Sequence, residues 1–129
     1  MSIFLYAPLQ LRELQISSTT IISLSYFFRN LTNLQDLNLS QCQKLENLPY
    51  SFKSLTKLRY LDLSYCSNLT LSRETIGNIC TLEHIDLIDW EHIEFFPSQL
   101  VHQRSLETLN LWELKNLIYR LKYLPYSNL

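Results

Sequence analysis

The chain has 129 residues, 47 % of them hydrophobic and 18 % charged, with a formal net charge of −1. That length holds one domain at most, the composition excludes a disordered tail, and the missing basic surplus excludes a dedicated nucleic-acid binder. Glycine occurs once, at Gly77, which argues against sandwiches and barrels built on many positive-φ turns.

The opening stretch MSIFLYAP is apolar but has neither the basic leader nor the length of a secretory signal. No apolar run reaches the ~18 residues of a membrane span. From Leu11 the chain repeats itself. Coils start at Leu11, Leu34, Leu58, Leu82 and Leu106, at spacings of 23, 24, 24 and 24. Three positions into each coil stand Leu14, Leu37, Leu61, Ile85 and Leu109, and five positions in stand Ile16, Leu39, Leu63, Leu87 and Leu111. Eleven positions in come Ile22, Leu45, Leu69, Ile93 and Leu117, all expected to point inward. Self-similarity at a fixed period marks a solenoid. Each alternating segment is a short strand with one buried face. Stacked coils give a parallel sheet and a continuous leucine interior. Each buried leucine is worth roughly 1.5–3 kcal/mol, close to balance against the ordering entropy of one coil, so stability comes from stacking several.

Eight positions into the coils stand Thr19, Cys42 and Cys66, replaced later by Trp90 and Leu114. The chain leaves the strand there and buries backbone groups that need partners. A small donor side chain suits that corner, bonded to the neighbouring coil. Strands ~4.7–4.9 Å apart bring Cys42 and Cys66 close, so a redox pair or half a metal site is the competing interpretation. With no His at ligand spacing, a structural ladder is preferred. Three cysteines are odd in number and too few for a disulfide framework, which suggests reduced thiols in the cytosol or nucleus. Leu48-Pro49 and Phe96-Pro97 mark a second corner, where proline sets the turn toward the outer side. YSFKSLTKL after it predicts an irregular or short-helical return. In the third coil SRETIGNICTL replaces that corner, with Ser72 as N-cap and Glu74 in the first turn.

The run LTNLQDLNLSQCQKLENLPYSFKSLTKLRYLDLSYC resembles the leucine-rich repeats of plant intracellular nucleotide-binding immune receptors, the disease-resistance proteins. The match lies in Leu34, Leu37, Leu39, Cys42, Leu45, Leu48, Pro49, Leu55 and Leu58, and continues in the next coil to Leu69. It extends over about Leu11 to Leu121, with Trp90 standing where Cys would be. The fold expected is α/β: a leucine-rich repeat horseshoe with a parallel concave sheet and an irregular or short-helical convex side. Residues 1–129 are taken as one repeat domain, a fragment of a longer array whose apolar ends lack polar caps. The resemblance implies a non-catalytic, cytoplasmic or nuclear module that senses a pathogen effector or guarded host protein, or docks on its own nucleotide-binding domain. A stand-alone repeat adaptor or scaffold is the alternative. A surface-receptor ectodomain is disfavoured, and the sequons at Asn30, Asn38 and Asn68 are taken as accidents of a Leu/Ser/Asn-rich repeat.

Residues between the inward leucines face outward. The central column is Gln15, Asn38, Asp62, Asp86 and Asn110, flanked by Glu13, Asp36, Tyr60, His84 and Thr108 and by Ser17, Ser40, Ser64, Ile88 and Trp112. A solvated sheet face competes with a protein-contact surface. The contact residues expected are Tyr60, Asp62, His84, Asp86, Ile88, Asn110 and Trp112, the aromatic ones most of all. No cofactor, metal, nucleic acid, membrane or small-molecule substrate is expected. His84, His92 and His102 form no zinc motif, and a triad drawn from Asp62, Ser64 and His84 would sit on a flat face with no oxyanion hole.

Overall fold

The computed structural model describes residues 10–24, 26–76, 79–89 and 104–110. Five short strands, β1 (Glu13–Gln15), β2 (Asp36–Asn38), β3 (Tyr60–Asp62), β4 (His84–Asp86) and β5 (Thr108–Asn110), form one sheet in chain order. Every pairing is parallel, and Leu14, Leu37, Leu61, Ile85 and Leu109 share one rung. Two 3-10 helices, Tyr26–Asn30 and Tyr50–Ser54, and one α-turn, α1 (Arg73–Ile76), return the chain on the opposite side. This is the expected solenoid: one strand per coil, each coil supplying what its neighbours need to cover their leucines.

The interior is continuous from Ile16 to Leu87 and almost wholly Leu, Ile, Phe and Cys. On the helical side Phe28 and Phe52 are fully buried and stack at 5.3 Å between ring centroids, with Ile76 buried in the third coil. Ile22 is a correction: it is 57 % exposed, and Leu24 is buried instead. The first coil is one residue shorter than the second, and the backbone bridge accordingly pairs Ser23 with Asn47. Ile21 and Leu24 therefore take the places of Leu45 and Leu48, leaving Ile22 beyond the core. The third coil reaches Leu71 one residue early, as the bridge of Asn47 to Thr70 shows. It recovers that residue in α1, because an α-turn rises about 1.5 Å per residue against about 2.0 Å in a 3-10 turn. Ser72 precedes α1 as expected, its hydroxyl 3.1 Å from that of Thr75.

The exits of β1 to β4 are left-handed residues. Ser18, Gln41, Tyr65 and Asp89 have φ of 58°, 60°, 60° and 55°, so among the described residues the positive-φ turns are made without glycine. The amide of each of the first three donates to the next coil, at 2.8 Å to the carbonyls of Ser40, Ser64 and Ile88. Asp tolerates this geometry better than Tyr. Tyr65→Asn, which keeps the amide bond, is expected to raise stability to urea by about 1 kcal/mol. An unchanged or lower midpoint would show that the tyrosine ring contributes more than the strain costs.

Candidate functional site

The strand register builds the outer face column by column. Glu13, Asp36, Tyr60, His84 and Thr108 are aligned neighbours, as are Gln15, Asn38, Asp62, Asp86 and Asn110. In-register stacking sets these side chains about 4.7–4.9 Å apart along the solenoid axis. Tyr60 is exposed, while Asp62, His84, Asp86 and Asn110 are half-buried. The third column sinks: Ser64 is buried and Ile88 half-buried. Trp112, the seventh expected contact residue, lies outside the described residues, as do Trp90, His92 and His102.

The central column does more than face solvent. Asn38 Oδ1 accepts the Ser40 amide at 2.8 Å, Asp62 Oδ1 accepts the Ser64 amide at 2.9 Å, and Asp86 Oδ1 accepts the Ile88 amide at 3.1 Å. These are Asx turns that satisfy backbone donors where each strand ends. The Ser64 hydroxyl also donates to Asp62 Oδ1 at 2.6 Å. Its proton is thus held within its own coil and not by His84, which removes the geometric basis for a triad. Asn110 Nδ2 donates to the second oxygen of Asp86 at 3.3 Å.

Charge is unevenly placed around this column. Arg59 grips Glu83 with two hydrogen bonds, Nε to Oε1 at 2.9 Å and Nη2 to Oε2 at 2.8 Å. That bond and the attraction behind it raise the guanidinium pKa and lower that of the Glu83 carboxyl. His84 Nε2 stands 4.0 Å from Glu107 Oε2, and its ring lies 6.4 Å from that of Tyr60. Burial first, then the charges of Asp62, Asp86 and Asp36, raise the Tyr60 phenol pKa. A shallow depression of about 430 Å³ opens here, lined by Glu13, Gln15, Asp36, Arg59, Tyr60, Glu83 and His84.

Burial, reinforced by the charge of Asp62, pushes the Asp86 carboxyl above its ordinary value. Its folded form therefore holds a proton more readily than the unfolded chain does. The contribution to stability falls as pH rises through the carboxylate range. Asp86→Asn keeps the acceptor for Ile88 and drops the charge, so it is expected to stabilise at neutral pH, by under ~1 kcal/mol because the group is only half-buried and solvent screens it. The gain should vanish in acid; urea midpoints across pH check this, and a gain independent of pH would refute the charge explanation.

Behind the sheet the corner residues form the expected ladder. Cys42 Sγ donates to the Ile16 carbonyl at 3.1 Å and Cys66 Sγ to the Leu39 carbonyl at 3.0 Å, each bond reaching into the preceding coil. Thr19 Oγ1 lies 3.4 Å from Cys42 Sγ. Both thiols are buried, and burial pushes the Cys66 thiol up to about 12. Among the described residues no group of His, Cys, Asp and Glu is arranged to hold a metal ion.

Sequential parallel rungs, an apolar interior and a helical return define the class: a leucine-rich repeat solenoid. Residues 9–69 match the family model described as leucine rich repeat. No curated protein matches the chain. Repeats of this class generally serve protein–protein interaction, which makes the sheet face the natural candidate surface. The sequence register aligned the two strand columns of that face as observed, whereas Ser64, expected to face outward in the third, is buried. The register missed the Asx bonds, whose signal is an Asn or Asp two residues before a strand-end amide.

Proposed function

We propose that this chain is a non-catalytic recognition and regulatory module of a plant intracellular immune receptor. It contacts a pathogen effector, a guarded host protein or the receptor's own nucleotide-binding domain. Tyr60, Asp62, His84, Asp86, Ile88, Asn110 and Trp112 form the contact surface. The mechanism is a population shift, in which a partner that binds the released state better competes with intramolecular docking.

One observation carries this reading. Cys42 and Cys66 sit at the corner as thiol donors to the preceding coil, each opening a Cys-x-x-Leu segment, the first of which runs on as Cys-x-x-Leu-x-x-Leu to Pro49 while the second reaches Leu71 one residue sooner. That corner is what the chain shares with the intracellular receptors. It requires reduced thiols, which supports a cytoplasmic or nuclear location.

The transcript should be sequenced through both ends of the reading frame, and any receptor it encodes expressed in leaf tissue with and without Tyr60→Ala. An upstream in-frame phosphate-binding loop, with loss of the immune response in the variant, is the expected result. In-frame stops on both sides would replace the receptor with a stand-alone adaptor. An unchanged response would remove Tyr60 from the contact surface.

A further inference from the structure

The outer face carries a charge asymmetry that protein recognition in general does not require. The whole chain has 11 Lys and Arg against 12 Asp and Glu, yet the two aligned outer columns hold Glu13, Asp36, Asp62 and Asp86 and not one Lys or Arg. Asp62 and Asp86 are direct register partners, and like charges placed opposite one another weaken a sheet. Folding does not ask for the charge. Asn38 makes the same strand-end turn with a neutral amide, at 2.8 Å to the Ser40 N–H.

The carboxylates do not stand alone. Tyr60, 36 % exposed, projects between Asp36 and His84 in its column, and the depression of about 430 Å³ opens over these side chains. The Arg59 guanidinium is held by Glu83 through both of its short bonds. It lines the depression beside Asp36 and Tyr60, but its charge is matched chiefly at Glu83 and not by Asp62 or Asp86.

We infer that the segment received on this face is an extended, arginine- or lysine-bearing stretch of a protein. The inference rests on the sheet face being the contact surface and adds the chemistry of what it contacts. A guanidinium can bridge carboxylates through its fork of donors and lie flat on the Tyr60 ring. An acidic segment would meet like charge at four positions. An apolar one would bury carboxylates with no counter-charge, which is costly.

The test uses the full chain, isotope-labelled for amide NMR, titrated at ~0.15 M salt, where the Debye length is about 8 Å and diffuse attraction is screened. Hexa-arginine is the probe, with hexa-glutamate and calcium ion alone as comparisons. Hexa-arginine is expected to shift the amides of β2 to β4, and hexa-glutamate to shift none. Asp62→Asn with Asp86→Asn should weaken it about tenfold, equivalent to about 1.4 kcal/mol, because the strand-end turns survive while the charge is lost, along with the long 3.3 Å bond from Asn110 to Asp86. Glu46→Gln, an exposed carboxylate away from these columns, should leave the affinity unchanged.

Equal affinity for the double variant overturns the inference. So does saturable calcium binding with the same carboxylate dependence, which would make this a cation site. A natural partner lost on Tyr60→Ala but indifferent to the double variant would remove the basic segment and leave the contact surface standing. Shifts confined to the helical side would remove both.

Discussion

Phe52→Ala is expected to cost about 3–5 kcal/mol in urea or thermal unfolding, the largest effect of any single truncation proposed for this chain. Phe52 is fully buried, stacked on Phe28 with an angle of 24° between the rings. Its removal opens a cavity where two coils meet, and the stacking itself is worth a further ~0.5–1.5 kcal/mol. A small domain holds only about 5–15 kcal/mol in total, so the variant should be partly unfolded at 37 °C.

Because each coil contacts only its neighbours, the loss should couple to Phe28. In a double-mutant cycle Phe28→Ala and Phe52→Ala together should cost less than the sum of the two alone. Tyr50, two residues away, is 58 % exposed with Lys53 Nζ 3.8 Å from its ring centre, and Tyr50→Ala should change stability by no more than about 0.5 kcal/mol. If Phe52→Ala costs under ~1 kcal/mol, the aromatic stack does not hold the helical side together.

That stack was not legible in the sequence, and the reason is physical. Strand leucines recur at fixed offsets because parallel rungs must stay in register, and a slip of one would turn each side chain to the wrong face. Leu14, Leu37, Leu61, Ile85 and Leu109 could therefore be paired from spacing alone, and the structure pairs them so. The return side obeys no such rule. Phe28 and Phe52 lie seventeen and eighteen residues into their coils, since a 3-10 turn, an α-turn or a shortened corner can each absorb one residue. The same freedom put Ile22 outside the core.

The left-handed exits were hidden for a different reason. Ser18, Gln41 and Tyr65 carry none of the Gly or Asn signature that marks positive φ. Their geometry is imposed by the bond each amide makes to the next coil. The contact face was legible as to which residues share it, because alternation decides that. The Asx bonds of Asp62 and Asp86 show that these side chains serve the fold as well. A change to Ala there would break the strand-end turn and confound folding with binding, whereas a change to Asn keeps the turn's acceptor.

Cys66 separates hydrogen bonding from packing in the corner ladder. Its thiol donates to the Leu39 carbonyl at 3.0 Å, and that oxygen also accepts the Cys42 amide at 3.3 Å. Losing the thiol therefore weakens the carbonyl's bonding without orphaning it. Cys66→Ala should cost about 1–2 kcal/mol from the bond and the small void. Cys66→Ser keeps a donor on nearly the same skeleton and should cost less. Cys66→Val fills the space but offers no hydrogen, and should be at least as damaging as Cys66→Ala. A valine variant more stable than the serine one would mean that the corner needs only volume.

The titration of the same thiol gives an independent check. With its folded pKa pushed up to about 12 from 9.0, the native state keeps a proton that the unfolded chain releases. Stability is therefore fully present below the unfolded value and falls as pH rises from there toward the folded one. A thiol reagent at neutral pH should modify exposed Cys80 quickly and leave buried Cys42 and Cys66 intact. All three should react together once urea unfolds the chain. Fast modification of Cys66 in the folded protein would mean that the interior opens locally at the corner, and the ladder would then be a hinge and not a brace.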